Sequence, residues 1–357
     1  MSIESVEEEY IQAIAKKTML LATFIIALVV LAIFSTSIGT GYGFFETYDT
    51  IIKHISGVEY IVASPEWWRG HYICNNVLPS VVISIIAGAG LAIGGTVMQS
   101  MMGNPLADPY TTGVSSGACM GAVSAIIMGF SFSSVTGEMG IVTNAFICAL
   151  IPAFIVIGIS RYIGNSPSTM ILIGIAMSYF FNSMVTLLMI STDSDTLQSA
   201  FLWQIGSVNN THWGDVPLML TVVVIAGIAI QFASSKLNLL TLGDANAKSL
   251  GLDVENFRVM CLIILSILVA SIISYTGIIG FVGLISPHIA RFIIGGDNKF
   301  VAPASILIGA LTLTIANMIS HMLVGYGDIP IGVIMSFIGA PLFLYLVVRS
   351  KSNREVF

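Results

Sequence analysis

The sequence predicts an all-α, polytopic membrane protein, and three observations carry the prediction. Its 357 residues are 56% hydrophobic and only 9% charged, with a mean hydropathy of +0.94, whereas soluble domains carry roughly one quarter charged residues. Apolar stretches near the ~20 residues that cross ~30 Å of hydrocarbon recur along most of its length. Within hydrocarbon a segment has to satisfy its own backbone amides, which these stretches do as helices. Ten are assigned, at residues 18–38, 74–102, 113–130, 139–162, 169–191, 216–234, 256–276, 279–294, 302–324 and 331–349. Those at 113–130 and 279–294 are short, so they are expected to cross part of the bilayer or to lie buried among the others.

Ten crossings put both termini on one side, and lysine and arginine accumulate on the cytoplasmic side. With both ends inside, Lys16, Lys17, Arg161, Lys236, Lys248, Arg258, Arg291, Lys299, Arg349, Lys351 and Arg354 fall at cytoplasmic ends. Of the 13 basic residues, Lys53 and Arg69 stay outside. The acidic residues Glu46, Asp49, Glu59, Glu66, Asp193, Asp195, Asp215 and Asp328 face outward.

Taken in order, residues 1–17 are an acidic cytoplasmic leader, SIESVEEEY and its continuation. The apolar run behind it lacks a small-residue cleavage site and is expected to be a retained helix rather than a signal peptide. Residues 18–350 form a single transmembrane domain, since no linker divides them, and 351–357 form a cytoplasmic tail. Two sizeable stretches face outward, a loop at 39–73 and the segment 192–215. In the second, Leu197, Phe201, Leu202 and Ile205 recur at helical spacing beside Trp203 and Trp213, the pattern of a short helix at the membrane interface, placed to form the rim of a pore. Cys74, Cys119, Cys148 and Cys261 fall in or beside apolar segments without CxxC spacing, so they are expected to be packing residues rather than a disulfide or zinc site.

On the cytoplasmic side, Gly243 to Arg258, GDANAKSLGLDVENFR, form a polar island between apolar runs. Asp244 is expected to cap a short helix through Leu250, Gly251 to end it in a left-handed conformation, and Asp253 to cap the next apolar helix. The island therefore holds a small ordered helix out into water.

The 34 glycines cluster inside apolar segments, with Gly88, Gly90, Gly94 and Gly95 in the second and Gly277, Gly280 and Gly283 at the junction of the seventh and eighth. Small residues allow close helix packing where lipid supplies no hydrophobic drive, and they also suit backbone that lines a path. A glycine-rich helix followed by a proline-bearing break occurs twice, in GGTVMQSMMGNPLADP and in GIIGFVGLISPHIAR, which hints at an inverted repeat. Polar groups at membrane depth need a partner or a task. Gln99, Asn104 and Asp108 gather around Pro105 and Pro109, either as a capped helix break or in contact with a transported substrate. Asn182 in the fifth segment, and Asn317 and His321 in the ninth, are candidates for a lined cavity.

There is no nucleophile with a base in reach, no HExxH, no acidic dyad within a helix and no phosphate-binding GxxxxGK[ST] loop, so catalysis by this chain is not expected. Nor is there a regular ladder of buried carboxylates for proton relay, which argues against an ion-driven transporter. The net charge of −6 carries no sign of nucleic-acid binding. Energy for any transport must come from elsewhere.

Four motifs in order resemble the FecCD-type permease subunits of ATP-driven importers for iron-siderophore, haem and vitamin B12. They are GAGLAIGGTVMQSMMGNPLADPYTTGVSSGA (88–118), GDANAKSLGLDV (243–254), TGIIGFVGLISPHIARFIIGGD (276–297) and DIPIGVIMSFIGAPLFLYLV (328–347). The resemblance spans roughly residues 70–350 and extends to the vitamin B12 importer permease. It implies a type II importer permease in a prokaryotic cell membrane, working as a homodimer or with a close paralogue, with two cytoplasmic ATPases and an extracytoplasmic binding protein. ATP and magnesium then belong to the ATPase, and this chain holds neither cofactor nor metal. The cargo implied is a metal chelate, most commonly a ferric siderophore, with haem and cobalamin as other members. The alternative function is an ion-coupled secondary transporter or channel that needs no ATPase.

Residue by residue, the resemblance makes 243–254 the loop that seats in the ATPase, through Gly243, Asp244, Ala247, Leu250 and Gly251. Ser166, Pro167, Ser168 and Thr169 match the cytoplasmic gate, and the fifth and tenth segments line the path, which places Asn182 and Met335 on it, with Gln99 and Asn104 at the end of the second segment as further path residues. Many relatives carry RLPR at the outer start of the second segment and another arginine near the outer end of the ninth, for docking the binding protein. Here those positions read Val77, Leu78, Pro79, Ser80 and His321. Docking therefore falls to Arg69, His71, Ser80 and His321, with Lys53 as a further cation.

Overall fold

Prolines, glycines and polar breaks cut the apolar sequence into helices whose bounds follow those breaks closely. The structure is a computed structural model that describes residues 3–352 except 39, 59, 134–136, 165 and 324–328. Gly39, Glu59, Asp328 and residues 353–357 with Arg354 lie outside the described residues, as do the side chains of Arg349 and Lys351. The helices are α1 (Ile3–Ile38), α2 (Phe44–Ile55), α3 (Pro65–Tyr72), α4 (Leu78–Met102), α5 (Val114–Met128), α6 (Glu138–Ile163), α7 (Pro167–Ile190), α8 (Ser194–Ile205), α9 (Val216–Thr241), α10 (Asp244–Ser249), α11 (Val254–Thr276), α12 (Val282–Ile294), α13 (Asn298–Met322) and α14 (Ile331–Ser352). Among the described residues there is no strand. Among the described residues, seven helical runs are long and apolar enough to cross a membrane, and Val114–Met128, Val282–Ile294 and Ile331–Leu346 are shorter apolar helices. Each of the ten expected segments is helical, and the two expected to be short are short.

The outer stretch 39–73 is more ordered than a loop. It folds into α2 and α3, and α3 passes through a π-helical turn, Ile73–Val77, directly into α4. The start signal is local: Ser64 accepts a hydrogen bond from the Trp67 amide, and Pro65 occupies the first turn, where its missing N–H costs nothing. Downstream, α8 starts at the Asp193 cap, which accepts from the amides of Asp195 and Thr196.

The centre of the bundle is α4, buried almost throughout from Pro79 to Met102. Its neighbours are α9, α11, α12 and α13. The glycines explain how they come so close. A Cβ placed on Gly88 would stand 2.3 Å from the carbonyl oxygen of Gly309 in α13, and one on Gly95 would stand 1.6 Å from that of Gly283 in α12. The helices touch backbone to backbone, which supports the packing reading of these glycines. The two helix–break–helix units match in kind. In the first, α4 ends at Gly103, in the left-handed conformation at φ +57, and Asp108 caps the turn at Pro109–Thr112 before α5. In the second, α11 ends at Gly277 and α12 begins after Phe281, a non-glycine residue held at φ +68.

This packing predicts opposite outcomes for two glycines. Gly95→Ala forces α4 and α12 apart and should destabilise the bundle by about 3 kcal/mol or more. Gly158→Ala in α6, where a Cβ meets nothing within 4 Å, should stabilise it by about 0.5–1 kcal/mol. Thermal unfolding of the two variants in one detergent checks the sign of each.

Candidate functional site

The polar island folds as a presented helix, with one change from the sequence expectation. Gly243, not Asp244, is the N-cap residue, at φ +89, and α10 starts at Asp244. Asp244 makes no cap because its carboxylate turns to Arg258 in α11, with bonds of 2.7 and 3.1 Å from the two terminal guanidinium nitrogens. A two-pronged, charge-assisted pair outcompetes one neutral amide cap. Arg258 is 1% exposed and also donates to the Met101 carbonyl in the last turn of α4 at 3.4 Å. One guanidinium therefore ties together α10, α11 and α4. It holds the Asp244 carboxyl below the usual aspartate range, chiefly through the side-chain hydrogen bond.

The other end of α10 closes as expected. Gly251, at φ +87, donates to the Lys248 carbonyl and Leu252 to the Ala247 carbonyl, the paired bonds that satisfy a helix C-terminus when a glycine turns left-handed. Asp253 then accepts from the Asn256 amide and caps α11. Ala247 is fully buried and anchors the helix inward, while Leu250 (59% exposed) and Leu242 (54%) stand out in water. A helix six residues long is thus flanked by two exposed apolar side chains, Leu242 before it and Leu250 at its C-cap.

Beneath it, the last turns of α4 receive a second buried guanidinium. Arg291 sits in the final turn of α12, where unpaired carbonyls favour a cation. It bonds to Gln99 Oε1 and, at 3.0 Å, to Ser100 Oγ. Ser100 donates to Asn298, whose Nδ2 donates to Asn238 Oδ1, and Asn238 in turn donates to Asp297. Gln99 also donates to the Leu284 carbonyl and is 3% exposed. Its amide holds helices together, so the structure corrects its assignment to an open path. Asn104 accepts from the Leu106 amide and Asp108 from the Tyr110 amide, the capped-break reading of that cluster. Sequence reasoning counted Arg258 and Arg291 as charges at cytoplasmic ends, and both are buried structural cations.

The turn at Ser166–Thr169 starts α7. Ser166 accepts from the Thr169 amide and bonds to its hydroxyl at 2.7 Å, with Pro167 in the first turn and Ser166 and Ser168 exposed. Along α7, Tyr179, Asn182 and Thr186 share one exposed face. Met335 in α14 is corrected as a path residue, being fully buried in the core, while Ser336, Phe337 and Ile338 are exposed beside it.

On the outer side, Ser80 is 1% exposed inside the α4–α13 contact, bonded to the Val77 carbonyl and within 3.4 Å of both Asn317 Nδ2 and His321 Nε2. It offers no surface to a partner, which corrects its docking role, and Asn317, fully buried there, joins helices rather than lining a cavity. Arg69 is paired with Glu46 and lies over the Tyr42 ring. His71 is exposed, stacked on Trp67 and bonded to Asn75. A cavity of about 930 Å³ opens between the outer ends of α5, α6 and α11, with Ser199, Leu202 and Trp203 of α8 on its wall.

Comparison with known proteins agrees with this architecture. Residues 19–349 match the FecCD transport family. The hemin transport system permease protein of Yersinia pestis is 33% identical over 80% of this chain and 85% of its own. The Fe(3+)-citrate import system permease protein of Bacillus subtilis is 33% identical over 93% and 96%. A solved metal-chelate type ABC transporter in an inward-facing conformation superposes with a TM-score of 0.79 at 28% identity, covering 93% of this chain and 99% of that one.

The Asp244–Arg258 pair has a readable signature. Asp244→Asn should weaken the hold on α10 by about 1.5–3 kcal/mol, seen as faster amide exchange at 244–252 with the α4 core unchanged. In the wild type a depressed carboxyl stabilises above its unfolded value of about 3.9. Protection of α10 should therefore persist at neutral pH, fade as pH falls below about 4, and vanish below the still lower folded value.

Proposed function

This chain belongs to the FecCD transport family, and we propose that it is the membrane permease of a type II ATP-binding-cassette importer, carrying a metal chelate from an extracytoplasmic binding protein into the cell. It is a multi-pass cell-membrane protein and a transport subunit rather than an enzyme. Hydrolysis of ATP with magnesium belongs to two copies of a separate cytoplasmic ATPase. The observation that carries the proposal is α10: a short helix held by the Asp244–Arg258 pair at its start and by the Gly251 turn at its end, and flanked by Leu242 and Leu250 exposed to water. Such a helix gives a cleft in an ATPase an apolar handle, and Arg258 passes its displacement to the end of α4.

Other features support the same reading. The exposed face of α7, from Leu172 through Tyr179 to Leu187, is the surface a second copy would share, placing Asn182 on the path between them. The turn at Ser166–Thr169 then faces its counterpart at the cytoplasmic mouth, where small hydroxyl residues suit a constriction that opens for a bulky cargo. Relatives are named for hemin and for ferric citrate, and a ferric siderophore is the cargo we favour, with haem or cobalamin next. Docking of the binding protein uses His71 and His321, with Lys53 and Arg69 tied to the acidic residues beside them.

Leu250→Glu should abolish copurification of the ATPase and ATP-driven uptake while the chain keeps its melting temperature. Uptake by the variant at wild-type rate, driven by an ion gradient, would sink the importer reading. For the gate, cysteine at Ser166 in both copies should crosslink across the dimer in the nucleotide-free importer and block uptake. Absence of a crosslink in every nucleotide state removes these residues from the gate.

A further inference from the structure

Outside the bundle, α2 presents an apolar face that the protein does not cover. The helix has three sides. Thr47, Thr50 and Ile51 are buried: Thr47 bonds to Thr40, Thr50 lies by Gly70 of α3, and Ile51 packs on Ile73 and Cys74 of the π-helical turn that leads into α4. A second side carries Glu46, Asp49 and Lys53, with Lys53 paired to Asp49 and Glu46 to Arg69. The third shows Phe45, Ile52 and Ile55, which are 86%, 62% and 79% exposed. In water three such side chains together would be a liability.

This third side continues a surface already given to lipid. Ile26, Val30 and Phe34 form an exposed stripe at four-residue spacing up the outer half of the spanning helix α1. Phe34 meets Phe44 with ring centroids 5.7 Å apart, and Phe44 meets Phe45 at 5.6 Å, so the stripe passes without a gap onto α2. The geometry also fixes how α2 runs. Phe44 touches Phe34, while Tyr48, one turn later, donates its hydroxyl hydrogen to the carbonyl of Ile33. Both contacts of the first two turns of α2 therefore fall on the last two turns of α1. The helix crosses α1 at its outer end instead of running back along it, the attitude of a helix lying in the plane of the interface. Tyr42, Tyr48, Trp67 and Trp68 cluster on the same segment, and such rings collect at the headgroup level.

We propose that α2 is an interfacial helix seated on the outer leaflet, with Phe45, Ile52 and Ile55 among the acyl chains and the Asp49–Lys53 pair at the headgroups. Its role is to fix the height of α3 and of the π-helical turn through which α4 is entered, on which its buried side packs. The occupant of the apolar face is lipid, because the face is continuous with the lipid-facing stripe of α1.

Spin labels on single cysteines test this in the full chain held in nanodiscs of phosphatidylethanolamine and phosphatidylglycerol, since the four native cysteines are buried. Labels at Phe45→Cys and Ile52→Cys should relax severalfold more with oxygen than with a water-soluble nickel chelate. Labels at Asp49→Cys and Lys53→Cys should show the reverse order. Nickel accessibility at 45 and 52 equal to that at 49 would overturn the proposal. So would labels at 45 and 52 that are aqueous in nanodiscs and become shielded only when the binding protein is added, which would make the face a protein-docking surface. Phe45→Leu, which keeps the apolar character, should leave the Ile52 label in lipid, whereas Phe45→Glu should lift it severalfold toward the aqueous value.

Discussion

Backbone contact between α4 and its neighbours is the constraint on which the rest of the structure depends. In a bilayer, apolar side chains gain nothing by leaving lipid for protein, so helices are held by close dispersion contacts and by polar groups that lipid cannot satisfy. Here the closeness comes from glycine facing glycine, Gly88 with Gly309 and Gly95 with Gly283. With no side chains between them, α4, α12 and α13 have little freedom to tilt independently. The buried centre follows from this, as does the position of the breaks, because Pro109 at the start of the turn before α5 packs against Gly94 and Gly283.

The second kind of contact is concentrated at the cytoplasmic end of α4. Two buried guanidinium groups converge on consecutive residues there: Arg291 from α12 on Gln99 and Ser100, and Arg258 from α11 on Met101. Each is buried at a cost that only several good hydrogen bonds offset. For Arg291 the partners are amide and hydroxyl groups, helped by the carbonyl end of its own helix. For Arg258 the partner is Asp244, which is 42% exposed on its side chain and belongs to the island. The one charge that α10 contributes inward is therefore the one that reaches α4, and the helix is joined to the bundle at a defined point.

Much of this was legible in the sequence, and the failures share a cause. All ten apolar segments, the left-handed Gly251 and the Asp253 cap could be read locally, because length, glycine and short polar side chains act over a few residues. Met335 could not be placed. In a helix that is apolar on every side, the core face and the lipid face look alike, so periodicity carries no contrast. Asp244 was read as a cap because its partner, Arg258, lies fourteen residues away across a turn, and local rules do not see that far. The helices within 39–73 went unread, although Ser64–Pro65 is a start signal and Phe44 to Ile55 alternates apolar and polar groups at helical spacing. The length of the apolar runs on either side masked a weaker, amphipathic pattern.

The two ends of α4 now differ in a way that bears on transmission. At the cytoplasmic end, a bidentate ion pair joins α10 to α11, Arg258 reaches the Met101 carbonyl of α4 at 3.4 Å, and buried hydrogen bonds through Ser100 join α4 to α12 and α13. At the outer end, Ser80, Asn317 and His321 meet at 3.4 Å, longer than strong hydrogen bonds, and α4 is entered through a π-helical turn, the kind of irregularity at which helices adjust. In the proposed importer, a displacement taken up by α10 reaches α4 through Arg258 at its inner end, far from the π-helical turn at its outer end. The glycine contacts between the two ends keep α4 moving as one piece with α12 and α13. In the proposed importer, the outer mouth then lies one helix, 25 residues long, from the point at which the island is attached.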